Sequence, residues 1–190
     1  MNGFLRHNVL RFKIWKYKLL SNNTNTIGKP KRIQPLLLEG DGNIQFGNNV
    51  SFGILRSPYL FSGYGYIEAR GKSVVVSFEE SVAINNSCVI TAEKKITICK
   101  NTVIGYNCHI SDSSFHNLDI DKRHETDPDP QEVYIDENVF IGNNVTILKG
   151  VKLGKNVVVG SGAIVTKSFP DNVVVAGVPA KIVSEIPLKN

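Results

Sequence analysis

The chain has 190 residues and a mass of 21.0 kDa, the size of one domain with a short appendage. Hydrophobic residues make up 42% and charged residues 21%, a balance that predicts a globular chain and excludes a disordered one. The apolar runs are too short to span a bilayer, and three cysteines without metal-ligand spacing argue against a zinc finger or a disulfide framework.

The net charge of +5 is concentrated in the N-terminal segment, residues 1–38. That segment has eight Lys or Arg and no Asp or Glu, so the other residues, with 14 basic against 17 acidic side chains, carry a net charge of −3. A nucleic-acid-binding domain would need a basic face on its folded body, so we expect no nucleic-acid partner. Basic residues interrupt the first 20 residues too often for a secretion signal, which favours a cytoplasmic protein with reduced thiols.

Residues 1–20 are typical of a basic amphipathic helix. Four apolar residues lie near one helical face: Leu5, Val9, Phe12 and Leu19. Five Lys or Arg side chains are distributed around them. Such a helix could make peripheral contact with an anionic membrane, pack on a partner subunit, or cap the exposed strand edge at one end of the fold. Residues 21–38 are interpreted as a linker and an extended segment that leads into the first repeat.

An aliphatic residue recurs every six positions without a break from Ile135 to Val165, and the same spacing appears in parts of the chain before it. The lead positions are Ile84, Ile90, Ile98, Ile104, Ile110, Ile135, Ile141, Ile147, Leu153, Val159 and Val165, with a fainter trace at Ile44 and Val50. A small or aliphatic residue follows most of them by four positions. This period fits a short strand and a tight turn, since the Gly and Asn residues of the turns tolerate left-handed backbone angles. Coils of three hexads, stacked about 4.8 Å apart, would bury both series, including Cys88 and Cys108.

The repeat is interrupted at two places. A step of eight between Ile90 and Ile98 indicates an insertion of two residues around positions 92–95. The larger break, residues 117–133, contains six acidic residues and is expected to form one long excursion loop. His116 stands directly before this loop, and loops that leave a regular scaffold often carry functional residues.

The residues alone leave several functions open. His116 with Asp112 nearby could form a general base oriented by a carboxylate, although the spacing fits a structural histidine equally well. The other histidines, His7, His109 and His124, are expected at the surface. A zinc site of His109, His116 and His124 is one competing interpretation, but their spacing is unsuitable and we expect no metal. A non-catalytic scaffold is also compatible with the hexads.

Six strings form one ordered series between residues 40 and 183. They are Ile-Asn-Asn-Ser-Cys at 84–88, Ile-Gly-Tyr-Asn-Cys at 104–108, Asp-Ser-Ser-Phe-His at 112–116, Phe-Ile-Gly-Asn-Asn at 140–144, Gly-Ser-Gly-Ala-Ile-Val-Thr-Lys at 160–167 and Ala-Gly-Val-Pro-Ala-Lys at 176–181. Together they resemble the hexapeptide-repeat acyltransferases, in particular the sugar O-acetyltransferases of the galactoside/maltose acetyltransferase group. The branch that decorates lipopolysaccharide and capsular polysaccharide is the most similar.

The resemblance implies an all-β solenoid, a left-handed parallel β-helix of hexapeptide repeats, with an N-terminal basic helical segment and one long excursion loop. The β-helix would cover residues 39–170, and residues 171–190 would complete the coenzyme A site. The resemblance also implies acetyl-CoA as co-substrate and a homotrimer with active sites between subunits.

Direct transfer is the expected mechanism, because no cysteine or serine pairs with His116 in the sequence in a way that suggests an acyl-enzyme. The roles of the site residues follow from the resemblance. His116 would take the proton from an acceptor hydroxyl, and a backbone N–H near Gly142 or Asn143 would stabilise the oxyanion. Relatives often have Asp-x-Asp-x-His where the second acid is a serine in this chain. The carboxylate partner of His116 is therefore expected to be Asp112, with Asp119 as the second choice.

Coenzyme A is expected to contact Phe140, Gly142, Asn143, Gly160, Ser161, Gly162, Thr166, Lys167 and Lys181. The acceptor, a sugar or glycan of a surface polysaccharide or its precursor, is expected to contact Asn85 and Tyr106. Acetylation of an amine, on a nucleotide-linked amino sugar or a xenobiotic, is the alternative within enzymes. A cytoplasmic location near the inner membrane is expected if the acceptor is a lipid-linked or growing glycan.

Overall fold

A computed structural model describes residues 3–187, so the outermost ends of the predicted segments 1–38 and 171–190 lie outside the described residues. The described chain contains a helix, α1 (Gly3–Leu20), 20 strands and a short 3-10 turn at Ile120–Lys122. The strands are β1 (Thr26–Ile27), β2 (Lys31–Arg32), β3 (Leu36–Glu39), β4 (Asn43–Phe46), β5 (Ser51–Phe52), β6 (Gly65–Ala69), β7 (Val75–Phe78), β8 (Ala83–Ile84), β9 (Val89–Ala92), β10 (Lys95–Ile98), β11 (Val103–Ile104), β12 (His109–Ser111), β13 (Val133–Ile135), β14 (Phe140–Ile141), β15 (Thr146–Ile147), β16 (Lys152–Leu153), β17 (Val158–Val159), β18 (Ile164–Val165), β19 (Val173–Gly177) and β20 (Ala180–Glu185).

The described strands form three sheets. Successive strands along the chain belong to the first, second and third sheet in turn. The first sheet has the order β1-β4-β7-β10-β13-β16, the second β2-β5-β8-β11-β14-β17-β19-β20, and the third β3-β6-β9-β12-β15-β18. Three strands make one coil, and six coils follow one another from β1 to β18. The pairs are parallel except for β19 and β20, which are antiparallel. This arrangement fits the hexapeptide-repeat β-helix that the sequence predicts.

The residues of the six-residue period form the core. Ile98, Ile135 and Leu153 pair in register across the first sheet, and all three are fully buried. Cys88 and Cys108 are buried as well, as predicted for small residues four positions after a lead residue. Each coil therefore buries its apolar side chains against those of the coils above and below.

Asparagines form the tight turns, also as predicted. Asn138, Asn156 and Asn172 all have φ between 57° and 60°, in the left-handed region. Their side chains stack in a ladder, because Asn138 Nδ2 donates to Asn156 Oδ1 (2.8 Å) and Asn156 Nδ2 donates to Asn172 Oδ1 (2.6 Å). The ladder satisfies the polar side chains of one turn with those of the next.

The structure differs from the sequence prediction at two places in the first half of the chain. The first coil begins at Thr26, before the expected boundary at residue 39, because β1 and β2 are short strands with polar residues such as Lys31. A second excursion, residues 53–64, lies between β5 and β6, so residues 3–187 contain two such loops where the sequence predicts one.

Helix α1 packs on β3, the terminal strand of the third sheet. The N–H groups of Asn22 and Asn23 donate to the Leu38 carbonyl oxygen (3.1 and 3.2 Å), and the Leu38 N–H donates to Ser21 Oγ (3.0 Å). The segment after α1 thus satisfies backbone groups at a strand edge. No helix among residues 3–187 has the length and apolar content needed to cross a membrane.

Candidate active site

The turns between the second and third sheets form one edge of the candidate site. We call this edge the glycine corner and define it by residues 85–86, 105–106, 142–143 and 160–162. A Cβ added at Gly105 would lie 2.5 Å from Asn143 Oδ1, and one at Gly142 would lie 2.7 Å from the Ser161 N atom. The close stacking of the coils therefore requires glycine, which gives these predicted site residues a structural cause.

Backbone N–H groups at the glycine corner are capped in series. Tyr106 N–H donates to Asn143 Oδ1 (3.1 Å), and Asn143 N–H donates to Ser161 Oγ (3.1 Å). The Gly142 N–H donates to a carbonyl oxygen one coil along (2.8 Å). The N–H groups of Gly142 and Asn143 are therefore paired within this chain, whereas the prediction placed the oxyanion donor near these two residues. The series ends at Ser161, whose N–H makes no hydrogen bond within residues 3–187, because the equivalent residue of the next coil is Gly177 and has no side chain.

The remaining predicted coenzyme A residues are spread over the C-terminal part of the fold, from β14 to β20. Phe140 lies on the outer face of β14 with 49% of its surface exposed. Gly160 precedes Ser161 at the glycine corner, and nothing lies within 4 Å of a Cβ added at Gly162. Thr166 and Lys167 are exposed after β18, and Lys181 is exposed on β20.

The predicted acceptor residues lie at the glycine corner of the third and fourth coils. Asn85 Oδ1 accepts the N–H of Asn86 (2.7 Å). The ring of Tyr106 lies 5.7 Å from the ring of Tyr59, which belongs to the second excursion. Asn86 is fully buried and donates through Nδ2 to the Pro58 carbonyl oxygen (2.7 Å), so it holds that loop against the corner.

The turns between the third and first sheets form the other edge, which we call the histidine corner (residues 112–116, 148–149 and 166–167). Phe115 has φ of 58°, a strained conformation for a bulky residue that is often associated with functional sites. Its N–H donates to Ser113 Oγ (2.8 Å), and the guanidinium of Arg70 lies 4.4 Å from the centre of its ring. The next residue, His116, is exposed.

The ring of His116 is fixed by a backbone carbonyl. Its Nδ1 lies 2.9 Å from the carbonyl oxygen of Arg123, which folds back from the excursion loop. Because a carbonyl oxygen can only accept, Nδ1 carries the hydrogen, and in the neutral ring Nε2 keeps its lone pair. Nε2 makes no hydrogen bond to the part of the chain that the structure describes. The ring is thus oriented with a proton acceptor directed away from the loop.

Asp112 does not orient His116, which corrects the prediction from sequence. Its carboxylate is fully buried and accepts the N–H groups of Glu93, Lys94 and Lys95 at 2.6–2.9 Å. These three residues form the turn created by the two-residue insertion, whose amides would otherwise be unsatisfied. Burial raises the pKa of the Asp112 carboxyl, although the three N–H donors oppose the shift. Asp119, the second choice, accepts the N–H of Asp121 instead.

Asp127 is the carboxylate that sequence reasoning missed. It is buried and accepts hydrogen bonds from Lys149 Nζ (2.5 Å), the Ser114 N–H (2.9 Å) and Ser114 Oγ (2.8 Å). Burial by itself would raise the pKa of Asp127, but these donors and the Asp129 N–H hold it well below its usual value. Asp127 therefore ties the excursion loop to the turn that carries His116. The Asp-Pro-Asp-Pro run at 127–130 was the only signal in the sequence.

The two corners lie at opposite ends of the strands of the third sheet. The glycine corner precedes these strands, and the histidine corner follows them. The residues of this sheet between Asn143 and Leu148 span about 15–20 Å at the rise of a strand. In one chain, His116 is therefore too far from Asn85 and Ser161 for these groups to contact the same reacting atoms. No group of three or more His, Cys, Asp or Glu side chains that could hold a metal ion occurs among residues 3–187.

Comparisons with known structures show the fold. The acetyltransferase VCA0836 of Vibrio cholerae O1 biovar eltor, solved with acetyl coenzyme A, has a TM-score of 0.53 and 22% identity over 97% of this chain and 85% of that chain. A galactoside acetyltransferase in complex with coenzyme A has a TM-score of 0.54 and 24% identity over 94% of this chain and 82% of that chain.

Comparisons of sequence show the family. Residues 132–167 match the family described as bacterial transferase hexapeptide (six repeats). The "Putative lipopolysaccharide biosynthesis O-acetyl transferase WbbJ" of Escherichia coli (strain K12) is 34% identical over 160 residues, which cover 80% of this chain and 76% of that protein. This identity over most of both chains, on the three-sheet fold described above, shows that the chain belongs to the hexapeptide-repeat acyltransferase family.

Proposed function

We propose that the protein transfers an acetyl group from acetyl-CoA to a sugar hydroxyl, with His116 as general base. The observation that carries the proposal is the fixed ring of His116, whose protonated Nδ1 leaves Nε2 as the acceptor. Nε2 takes the hydroxyl proton while the hydroxyl oxygen attacks the thioester carbonyl. The tetrahedral intermediate then expels the coenzyme A thiolate, which takes the proton back from the imidazolium. The WbbJ relative is named as a lipopolysaccharide biosynthesis O-acetyl transferase, which supports the same chemistry.

The donor site in this proposal consists of the glycine corner and the exposed residues Lys167 and Lys181. Ser161 has a free N–H at a surface made of glycines, where a pantetheine chain can approach the backbone closely. Lys167 and Lys181 are exposed cations that would meet the phosphates of coenzyme A. The two solved structures named above, which hold coenzyme A or acetyl coenzyme A, support acetyl-CoA as the donor.

The proposed active form is a homotrimer in which each site is shared by two chains. The 15–20 Å between the two corners supports this, because only a second copy can bring a glycine corner next to His116. The outward face of the second sheet supports it as well. It carries the apolar side chains of Phe140 and Val103, which are 49% and 42% exposed, whereas the first sheet presents Gln45, Thr97 and Lys152.

The acceptor in this proposal is a glycan of a surface polysaccharide or its precursor, modified on the cytoplasmic side. Tyr59 and Tyr106 at the glycine corner offer aromatic faces with hydroxyl groups for a polar, ring-shaped ligand. A neighbouring cleft of about 450 Å³ is lined by Tyr64, Tyr66 and Ser87, among others. Both features lie beside Asn85, which was predicted to contact the acceptor.

The direct test measures acetylation of a panel of sugars by mass spectrometry with His116→Ala. We expect a loss of about 100-fold or more in kcat, the usual contribution of a general base. The matched control is His124→Ala, which removes an exposed histidine from the same loop and should retain full activity. Mild alkali should remove the product acetyl group, since it cleaves esters and leaves amides. An alkali-resistant product would instead establish an N-acetyltransferase.

A mixing experiment tests the shared site. His116→Ala and Asn85→Ala should each be nearly inactive alone, whereas co-expressed chains should recover activity if the two residues come from different copies. Light scattering should give a mass about three times that of one chain. A monomeric mass, or no recovery from correctly folded mixtures, would refute the shared site.

A further inference from the structure

Helix α1 has an inner face that fixes it to the rest of the protein. Leu10 is buried, and the ring of Tyr17 lies 4.7 Å from the ring of Tyr64 in the chain that leads into β6. Lys13 Nζ donates to the carbonyl oxygen of Phe61. Only one face of α1 therefore contacts the rest of the protein.

The opposite face of α1 presents a stripe of large apolar side chains to solvent. Its members are Phe4 (78% exposed), Leu5 (51%), Phe12 (61%), Trp15 (56%) and Leu19 (64%). At 100° per residue they cover about 100° of the helix surface, centred opposite Leu10 and Tyr17. The helix of a water-soluble protein normally places polar residues on this side.

Basic side chains flank the apolar stripe on both sides. On the helical wheel, Arg11 and Lys18 lie along one edge and Lys16 along the other. Residues 1–38 contain no acidic residue that could neutralise them. An apolar stripe with Trp and Phe between rows of Lys and Arg is the composition of helices that lie in the interface of an anionic membrane.

We propose that the exposed face of α1 binds an anionic lipid surface. The stripe would enter the boundary between headgroups and acyl chains, while Arg11, Lys16 and Lys18 would lie at the level of the lipid phosphates. The inner face would stay on β3, so the helix would dock without leaving the fold. The cytoplasmic leaflet, with its negative surface potential, is the surface that such a helix would meet.

The position of α1 sets how close the site lies to that surface. The helix packs on β3, and His116 follows β12, three strands further along the third sheet. Three strand spacings are about 14 Å. Along the sheet, the histidine corner would thus lie about 14 Å from the strand that carries α1, which suits an acceptor glycan that extends from a lipid. This last step rests on the proposed function, whereas lipid binding by α1 does not.

Trp15 makes the proposal directly measurable, since it is the only tryptophan in the chain. Its fluorescence should shift to the blue and saturate when the full chain is titrated with vesicles of phosphatidylglycerol and phosphatidylcholine. Vesicles of phosphatidylcholine alone should give a much smaller shift, and high salt should weaken binding to the anionic vesicles. Co-sedimentation with the vesicles provides a second readout.

The double variant Phe12→Ser/Leu19→Ser should bind the anionic vesicles at least about tenfold more weakly than wild type. It keeps the tryptophan reporter. The control Ile120→Ser removes an apolar side chain that is 82% exposed in the excursion loop, and it should bind like wild type. The double variant should acetylate a soluble sugar at the wild-type rate, so failure of lipid binding and failure of the proposed function are distinguishable. Equal binding by wild type and double variant, or no binding to anionic vesicles, would overturn the proposal. A change of oligomeric mass in the double variant without lipid would overturn it too, since a second copy would then cover this face.

Discussion

Substitution of Asp127 by Asn should destabilise the protein, because this carboxylate joins the excursion loop to two segments of the histidine corner. It accepts from Lys149 Nζ and from two groups of Ser114, and its own side chain is only 4% exposed. Lys149 and Ser114 donate to Oδ2, and the Asp129 N–H donates to Oδ1. An Asn side chain has one acceptor oxygen and no charge, so it loses the ion pair with Lys149 and turns an amide NH2 group toward one of these donors. Breaking a buried ion pair costs about 3–5 kcal/mol, but the side chain of Lys149 is 28% exposed and can regain water. We therefore expect a loss of about 2–3 kcal/mol.

The pH dependence has a definite sign. The pKa of Asp127 is lower in the folded state than in the unfolded state, so its stabilisation is fully present above the unfolded pKa of about 4 and is lost progressively as the pH falls from that value toward the folded-state pKa. The difference between wild type and Asp127→Asn should be largest at pH 7. It should be smaller by about 1 kcal/mol at pH 3.

Urea unfolding followed by circular dichroism at several pH values would measure this difference. The control is Asp129→Asn, which alters an exposed carboxylate two residues away and should change stability by less than about 0.5 kcal/mol. Equal stability of wild type and Asp127→Asn at neutral pH, or a difference that stays constant down to pH 3, would refute the reasoning. Because Ser114 lies two residues before His116, kcat should fall in Asp127→Asn.

Three further expectations follow from other buried or strained groups. Asn86→Ala leaves several backbone groups of the second excursion without partners, so it should lower the free energy of unfolding by about 2–4 kcal/mol. It should also speed tryptic cleavage at the exposed Arg56, measured by gel electrophoresis. Unchanged cleavage would contradict this. Asn138→Ala should cost about 1–2 kcal/mol in thermal unfolding, since it loses the hydrogen bond to Asn156 and places alanine at φ of 57°, whereas Asn138→Gly should cost less. Burial raises the pKa of the Cys99 thiol, so maleimide should label it slowly in the native protein at neutral pH and fully after unfolding, with mass spectrometry as the readout; fast native labelling would argue against this core position.

The coil architecture was predictable because its signal is local. A hydrophobic residue every six positions, with Asn or Gly in the turn, specifies a strand and a turn without any information from the rest of the chain. The same locality identified Cys88 and Cys108 as core residues and placed the loop after His116. It failed for β1 and β2, whose short polar sequences lack the lead residue.

The partners within the site were not predictable, because they depend on contacts between distant parts of the chain. Asp112 was expected to serve His116, but it meets unsatisfied amides of the preceding coil, 17 to 19 residues away. Asp127 reaches Lys149 in the following coil, 22 residues away. The second excursion is held by Asn86, about 30 residues later in the sequence. No sequence pattern in the residues between β5 and β6 predicts that contact.

The location of His116 on the fourth of six coils has a consequence for its dynamics. A stack in which each coil contacts only its neighbours opens from its ends, where a terminal coil has one neighbour instead of two. Amide hydrogen exchange should therefore be fastest near β1 and β18 and slowest around β9 and β12. The turn that carries the candidate base would keep its geometry through partial opening events that already disorder either end of the molecule.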